Sequence, residues 1–502
     1  MQLARAIIRR LLLAPGRVCV VDDQRQWKGY QLYLGALHVA RAIEQTTAAQ
    51  HVAIMLPTSG LFPMSMLGTW MLGRTIVPLN YMLAAQELAY VIEDAGVDTV
   101  VTVGPMVKHV AELPAGVRQI RLDEMSFGGL PPVRRSRSRP DDFVAALLYT
   151  SGTSGRPKGV MLTVDNLASN VRQCISWVGF TRADSLLGVL PQFHCFGLTV
   201  LTLLPMIVGC TVVYTARFVP RKILQLLRTH RPTAMIAIPS MYNALLQSRS
   251  AKPDDFSSVR YLVSGGEPLP RAVAEGFRET FNAVINEGYG LTETGPVANW
   301  CRLEDHRTGS VGMPVPDVDE KIVGPDGETL GPDTDGEVCI RGPNIMAGYY
   351  KLAEQTAEVF DDEGYFHTGD IGRFDADGHL YITGRIKEML IIGGENVFPR
   401  EIEEVLNAHP SVQDSAVIGV QDPSRGELPL AFVELVEGAA FDETALRTHC
   451  RERLAAFKVP REIRPLETLP RNPTGKIMRR ELSVDTHAAA ASGESGTAKE
   501  QQ

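Results

Sequence analysis

Up to Gly295, short apolar runs alternate with longer stretches of helical period, and that alternation restricts the fold more than any other feature of the chain. Residues 51–56, 75–78 and 98–103 read as strands, with helical patterns at 59–72 and 86–94 between them. A loop rich in Pro and Arg, 131–140, precedes a second block that opens with the apolar strand 143–149. Strand patterns follow at 186–190, 211–214, 233–238 and 260–263, with helices such as 220–230 and 270–281 among them. Strands separated by helices join by crossovers, so this pattern predicts an α/β fold of mostly parallel sheets covered by helices. Beyond Gly295, Gly and Pro become frequent, and 336–341 and 379–383 read as strands of a small β subdomain. After Arg385 comes a compact α+β unit, with helices at 399–409 and 443–453 and strands at 415–420 and 431–434. Residues 483–502 lack apolar periodicity and predict a disordered tail. No internal repeat is visible.

The chain has 502 residues, enough for more than one domain, and 44% hydrophobic with 22% charged residues supplies an ordinary globular core. Fifty Lys and Arg against 58 Asp and Glu give a net charge of −8, which offers no footprint for nucleic acid. Seven cysteines without CxxC spacing argue against a disulfide framework or zinc site and suit the reducing cytoplasm. Arg5, Arg9 and Arg10 precede a Leu run too short for a secretion signal, so the start reads as an amphipathic helix. The uncharged run 196–214 is nearly long enough to span a bilayer, but Pro205 and Gly209 interrupt it. It reads as a buried helix followed by a strand, which predicts no transmembrane segment and leaves room for peripheral membrane contact.

The segment 149–159, Tyr-Thr-Ser-Gly-Thr-Ser-Gly-Arg-Pro-Lys-Gly, directly follows a strand. Its small residues let backbone N–H groups approach phosphate oxygens; Thr150, Ser151, Thr153 and Ser154 add hydroxyls, Gly152 and Gly155 keep the loop open, and Lys158 adds charge. A flexible linker would not need Pro157-Lys158-Gly159 in fixed order, and no Gly-Lys-Ser/Thr closes a Walker A loop. A second Gly-rich turn, 286–295, holds Tyr289 between Gly288 and Gly290, an aromatic face suited to stacking on a purine. Within it Thr292 can donate to a phosphate and Glu293 can ligate Mg²⁺. Asp370, in Phe-His-Thr-Gly-Asp, could accept from both hydroxyls of a ribose, although a turn Asp bonded to its own backbone gives the same pattern. Arg385 suits ribose or phosphate contact, and Lys476 stands in Pro-Thr-Gly-Lys, where a solvated charge is the common alternative.

Taken in order, the phosphate loop, Gly-Tyr-Gly-Leu-Thr-Glu, Thr-Gly-Asp, Gly-Arg and Pro-Thr-Gly-Lys resemble the adenylate-forming superfamily, and most closely the bacterial fatty acyl-CoA synthetases. The resemblance spans residues 18–482. It implies an N-terminal domain 1–386 that binds ATP and acid, a mobile C-terminal lid 387–482 and the tail 483–502. The implied reaction joins a carboxylic acid to AMP with Mg²⁺ present, releases pyrophosphate, and passes the acyl group to the thiol of coenzyme A. Lys387 would be the hinge, and Lys476, with Thr292, Glu293 and His194, would serve catalysis. The ATP/AMP set adds Gly266, Glu267, Pro268 and Glu287 to the residues above. The acid would lie among His194, Met241, Tyr242, Gly265, Gly266 and Gly288, and a tunnel for coenzyme A would run past Gly393, Gly394 and Glu395. His194 could equally be a satisfied core histidine, and Gln192 departs from the Leu usual at its position.

Small residues in the acid pocket leave space for an apolar tail, and no charge is placed to read an amino group; Glu287 before Gly-Tyr-Gly and the Gly-Gly-Glu-Asn-Val-Phe-Pro run resemble the bacterial fatty acyl-CoA synthetases, which implies a medium- or long-chain fatty acid. Aryl-CoA ligase and acyl-acyl carrier protein synthetase are the alternatives. A non-catalytic nucleotide- or lipid-binding relative is opposed by the presence of Lys158, Glu293, Asp370, Arg385 and Lys476 together, and ADP as product would mark a phosphotransferase.

Overall fold

Every helix-covered strand in the first half of the chain sits in one of two sheets. The computed structural model describes residues 2–110, 113–150, 156–392, 395–422, 426–471 and 475–486, and the chain divides into two units, Met1–Ile382 and Thr383–Gln502.

In the first unit a nine-stranded sheet has the order Met313–Pro314, Asn299–Trp300, Ile285–Tyr289, Tyr261–Ser264, Ala234–Ala237, Ser185–Gly188, Thr211–Tyr214, Val18–Val21, Gln26–Lys28. Its central strands, from Ile285–Tyr289 to Val18–Val21, run parallel. A seven-stranded sheet is ordered Gly348–Tyr349, Lys158–Thr163, Val144–Thr150, Thr75–Pro78, His51–Met55, Thr99–Thr102, Arg118–Arg121. It is parallel from Val144–Thr150 onward, as the crossovers require. A four-stranded sheet, Asp319–Val323, Gly336–Arg341, Phe366–Phe374 and Leu380–Arg385, forms the expected β subdomain, and its last strand runs past the end of the unit at Ile382.

Strands covered on both faces are buried along their whole length, as in Thr75–Pro78 and Thr99–Thr102, where only threonines interrupt the apolar run. Trp70, at 0% exposure, donates its indole N–H to Ala145 O at 3.0 Å, which fixes the helix Leu61–Met71 to its sheet. The uncharged run resolves into Cys195–Leu198, a π-turn at Thr199–Leu203, Leu204–Val208 and the strand Thr211–Tyr214. Gly209, in the left-handed region, ends the helical part. Among the described residues no helix is long and apolar enough to cross a membrane.

The helix Val164–Val178 is fixed at its start by a reciprocal cap: Asn166 N–H donates to Thr163 Oγ1 (3.1 Å), and Thr163 N–H donates to Asn166 Oδ1 (2.9 Å). The amide of Asn166 then reaches Ile345 O at 2.7 Å and Pro343 O at 2.9 Å, so the same residue that starts the helix holds a distant loop.

In the second unit, Gly426–Leu435 lies between Val412–Asp422, antiparallel, and Glu462–Leu466, parallel, with the hairpin Leu390–Ile392/Glu395–Val397 at one edge. Ile402 and Leu406 of the helix Pro399–Asn407 and Leu446 of Glu443–Arg451 pack with Val417, Val433 and Ile463 in its core. Of the expected tail, residues 487–502 lie outside the described residues.

Candidate functional site

Parallel pairing carries the ends of Tyr261–Ser264 and Ile285–Tyr289 to one edge of the nine-stranded sheet, the edge at which open α/β sheets bind ligands. Past Tyr289 the chain turns at Gly290, φ 153°, where a Cβ would lie 1.9 Å from Pro296 O, so only glycine fits. Leu291 N–H donates to Thr294 Oγ1 at 2.9 Å and closes the single turn Thr292–Thr294. Four outside groups pin this loop. Asn344 donates to Thr294 O (2.8 Å), Thr199 Oγ1 to Gly295 O (2.9 Å), and Asn170 both donates to Val297 O (2.6 Å) and accepts from Val297 N (3.1 Å). Thr292 and Glu293 are thereby presented on a rigid mount.

Near that mount stand several of the residues predicted to bind nucleotide. Tyr289 OH donates to Asp370 Oδ2 at 2.7 Å, and Asp370 is 2% exposed. Asp370 N–H meets Thr368 Oγ1 at 3.0 Å, so this carboxylate is oriented by the aromatic residue predicted to hold the purine. Glu293 Oε1 accepts from Tyr349 OH at 2.9 Å, and Lys158 Nζ stands 4.9 Å from the centre of the Tyr349 ring. Burial, with the neighbouring Glu293 carboxylate, pushes the Tyr349 hydroxyl far up, so it remains a donor. Glu293 offers hard carboxylate oxygen, one already oriented, and this donor chemistry fits Mg²⁺. Glu287 Oε2 accepts from Leu269 N at 3.2 Å and ties the segment 265–269, which carries Gly266, Glu267 and Pro268, to the Tyr289 strand.

Thr150 pairs with Lys158 across the antiparallel register of Val144–Thr150 and Lys158–Thr163, the two described ends of the predicted phosphate segment. Its residues Ser151, Gly152, Thr153, Ser154 and Gly155 lie outside the described residues.

On the acid side, His194 is exposed, which removes the core-histidine alternative. Its Nδ1 accepts from Phe196 N at 3.4 Å. The Phe196 ring approaches to 3.0 Å of where a Cβ on Gly265 would stand, and Gly288 O is 3.3 Å from that point. His194, Gly265 and Gly288 thus meet around Phe196, which sequence reasoning missed because an aromatic residue in an uncharged run reads as core. Cys195 Sγ lies 3.9 Å from Thr292 O, so this wall adjoins the nucleotide loop.

Tyr242 does not join it. Its side chain is 0% exposed, stacked edge-on to Phe277, with its hydroxyl donating to Met235 O and Val263 O at 3.0 Å each; it is a core residue, while Met241 beside it is half-buried. Gln192, the departure from Leu, is buried and satisfied: its Oε1 accepts from Ser59 N (2.9 Å) and its Nε2 donates to Thr202 Oγ1 (3.1 Å).

Arg385, Lys387, Glu395 and Lys476 belong to the second unit. Lys387 is exposed in the short turn Ile386–Glu388. Glu388 pairs with Arg479 at 3.2 Å, and Arg479 grips Glu403 of the helix Pro399–Asn407 through two bonds, at 2.9 and 2.6 Å. Arg471 reaches Gly475 O at 3.2 Å and Asp414 at 2.8 Å, bracing the turn that carries Lys476. Glu395 is exposed on the edge hairpin, and Gly393 and Gly394 lie outside the described residues.

Residues 9–350 match the family model of the AMP-binding enzymes, and residues 401–476 that of the AMP-binding enzyme C-terminal domain. The chain belongs to the AMP-binding enzymes. Within this adenylate-forming superfamily, it is 35% identical over 418 residues to a feruloyl-CoA synthase of Amycolatopsis sp., covering 82% of this chain and 83% of that one. It is 32% identical over 477 residues to a long-chain-fatty-acid–CoA ligase of Bacillus subtilis, covering 86% and 84%. Among solved structures, ATP-bound MatB from Rhodopseudomonas palustris superposes with a TM-score of 0.87 at 31% identity, covering 95% of this chain and 97% of that one. This AMP-binding enzyme is therefore an ATP-binding ligase, and Tyr289, Glu293 and Asp370 all lie within its first unit.

Proposed function

We propose that this enzyme is an acyl-CoA synthetase. The carboxylate of an apolar acid attacks the α-phosphate of ATP, the bond to pyrophosphate breaks, and the acyl-adenylate remains. The thiol of coenzyme A then attacks the acyl carbon, releasing AMP and a proton. The observation that carries this reading is the contiguous set in the first unit, where Asp370 is held by Tyr289, and Glu293 and Lys158 flank Tyr349 beside the His194–Phe196–Gly265 wall.

Asp370 takes the ribose, Tyr289 faces the purine, and Thr292 and Lys158 meet phosphate. Glu293 would hold Mg²⁺, which when bound would supply charge neutralisation at the phosphates. Lys476 counters the negative charge that builds as two anions approach. The C-terminal domain, taken as 387–482, turns about Lys387 between the half-reactions, after which Glu395 and the neighbouring glycines border the path of the thiol. Seven free thiols suit a cytoplasmic setting.

A medium- or long-chain fatty acid is the proposed substrate, its tail running over Gly265 and Gly288. A planar aryl acid is the second reading, favoured by the Phe196 ring lying flush against Gly265. AMP release with coenzyme A, across aliphatic acids of increasing length and aryl acids, distinguishes them; a holo-carrier protein as acceptor tests the other thiol. Lys476→Ala abolishes acid-dependent pyrophosphate exchange while sparing thiolysis of supplied acyl-adenylate. Equal loss of both would remove the role given to Lys476.

A further inference from the structure

We propose that Glu337 is a positioning residue of the nucleotide site, its carboxylate bracing the turn that presents Asp370 to the ribose. This rests on the reading of Asp370 as the ribose ligand. The strands Gly336–Arg341 and Phe366–Phe374 pair antiparallel, with Glu337 opposite Ile371 and Cys339 opposite His367. Between these two pairs, Val338 alone faces Thr368, Gly369 and Asp370, so the ladder bulges and pushes Asp370 out of register.

Side chains take over the backbone groups the bulge releases. Gly369, at φ 70°, donates its N–H to Glu337 Oε1 at 3.0 Å. Thr368 Oγ1 donates to Val338 O at 2.7 Å and accepts from Asp370 N at 3.0 Å. The other oxygen of Glu337, Oε2, lies 2.8 Å from His367 Nδ1, and because a carboxylate only accepts, Nδ1 carries the proton. One carboxylate therefore holds the bulge at both its entry, His367, and its apex, Gly369. Gly369 has no side chain to resist relaxation, so removing the brace takes one support from the turn that presents Asp370, with Tyr289 and Thr368 among those that remain.

Cys339 Sγ lies 3.5 Å from His367 Nδ1, and the donor atoms of Glu337, Cys339 and His367 fall within 4.8 Å of one another, a spacing a soft cation could also use. Both Glu337 oxygens are already engaged by N–H groups, and burial holds the Cys339 thiol up at about 12, which favours the brace over a ligand set.

The test compares kcat and KM for ATP, 2′-deoxy-ATP and 3′-deoxy-ATP in pyrophosphate exchange by wild type, Glu337→Gln and Glu337→Ala, with thermal melting alongside. Wild type should discriminate against the deoxynucleotides by about tenfold or more, the weight of one hydrogen bond to a charged acceptor. That ratio should fall in the order wild type, Gln variant, Ala variant, reaching about threefold or less in the last, with KM for the acid unchanged. The isosteric Gln variant keeps an acceptor for Gly369 N–H and serves if the Ala variant does not fold. A wild-type ratio in the Gln variant overturns the brace while leaving the ribose reading intact. No discrimination by wild type overturns both. A Co²⁺–thiolate charge-transfer band that disappears in Cys339→Ala also overturns the brace, making these residues metal ligands instead.

Discussion

Tyr289→Phe removes one oxygen from the site and leaves the aromatic face proposed for the purine. The lost hydroxyl donates to Asp370 Oδ2 at 2.7 Å, and Asp370 is 2% exposed, so little water is at hand to replace it. A hydrogen bond to an ionised acceptor is worth about 1.5–3 kcal/mol, which corresponds to roughly 10- to 150-fold in binding. Bound ribose hydroxyls donate to the same carboxylate and recover part of the loss, so the expected effect is at the lower end, about tenfold in KM for ATP. Because the contact orients the ribose and does not touch the reacting phosphate, kcat should stay within about threefold of wild type, the pattern of uniform binding. The assay is acid-dependent pyrophosphate exchange at saturating acid with ATP varied. A KM for ATP within about twofold of wild type would refute the reasoning, as would an equal rise in KM for the acid.

Two further outcomes follow from side chains away from the reacting groups. Glu320 carries a carboxyl whose Oε2 accepts from Asn299 at 3.0 Å and whose Oε1 is enclosed without a partner, although its stem reaches the surface. Burial raises its pKa to about 7. The stability this group contributes is thus fully present below its unfolded pKa, near 4.5, and is lost as pH rises through about 7. Glu320→Gln should leave melting at pH 5 little changed and raise it at pH 8, by an amount on the order of 2–3 kcal/mol; a mutant that melts with the wild type at both pH values would refute this. Gly265→Ala places a methyl 3.0 Å from the Phe196 ring and 3.3 Å from Gly288 O, and only the ring can yield. KM for the bulkiest accepted acid should rise about tenfold, from about 1–3 kcal/mol of overpacking, with KM for ATP unchanged; a parallel rise in both would place Gly265 outside the acid wall.

The sequence patterns located elements wherever burial is two-sided or the helical face is regular. Thr75–Pro78, Thr211–Tyr214 and Pro220–His230 fall where the apolar runs predict them. Lys158–Thr163 was not legible as a strand, because its antiparallel partner Val144–Thr150 lies before the Gly- and Ser-rich segment that dominated the reading of this region. Val412–Asp422 outruns its apolar core because a long antiparallel partner satisfies its polar ends. At the site, the short motifs drew attention to residues that the fold holds by direct bonds, Tyr289 to Asp370 and Tyr349 to Glu293. What could not be read was which aromatic residue is exposed. Tyr242 and Phe196 occupy similar apolar surroundings, yet the first is sealed beneath two strands and the second forms a wall. Glu337 was hidden for another reason: in Gly-Glu-Val-Cys-Ile-Arg it looks like the solvent-facing member of an alternating strand, and its role depends on a bulge in the neighbouring chain.

The clasp of Arg479 on both Glu388 and Glu403 limits where any swivel can act. Through Arg479, Glu388 and the helix Pro399–Asn407 are fastened to the short turn Arg479–Glu481 that follows Lys476, so in the proposed rotation these parts would travel together. The torsion of the proposed rotation would then fall to the peptides ahead of Glu388, at Lys387. Like a crank keyed to its shaft, a change of backbone angle there would reach the distant ammonium without slack, and cutting the key, at Arg479, would let the shaft turn while the handle lags.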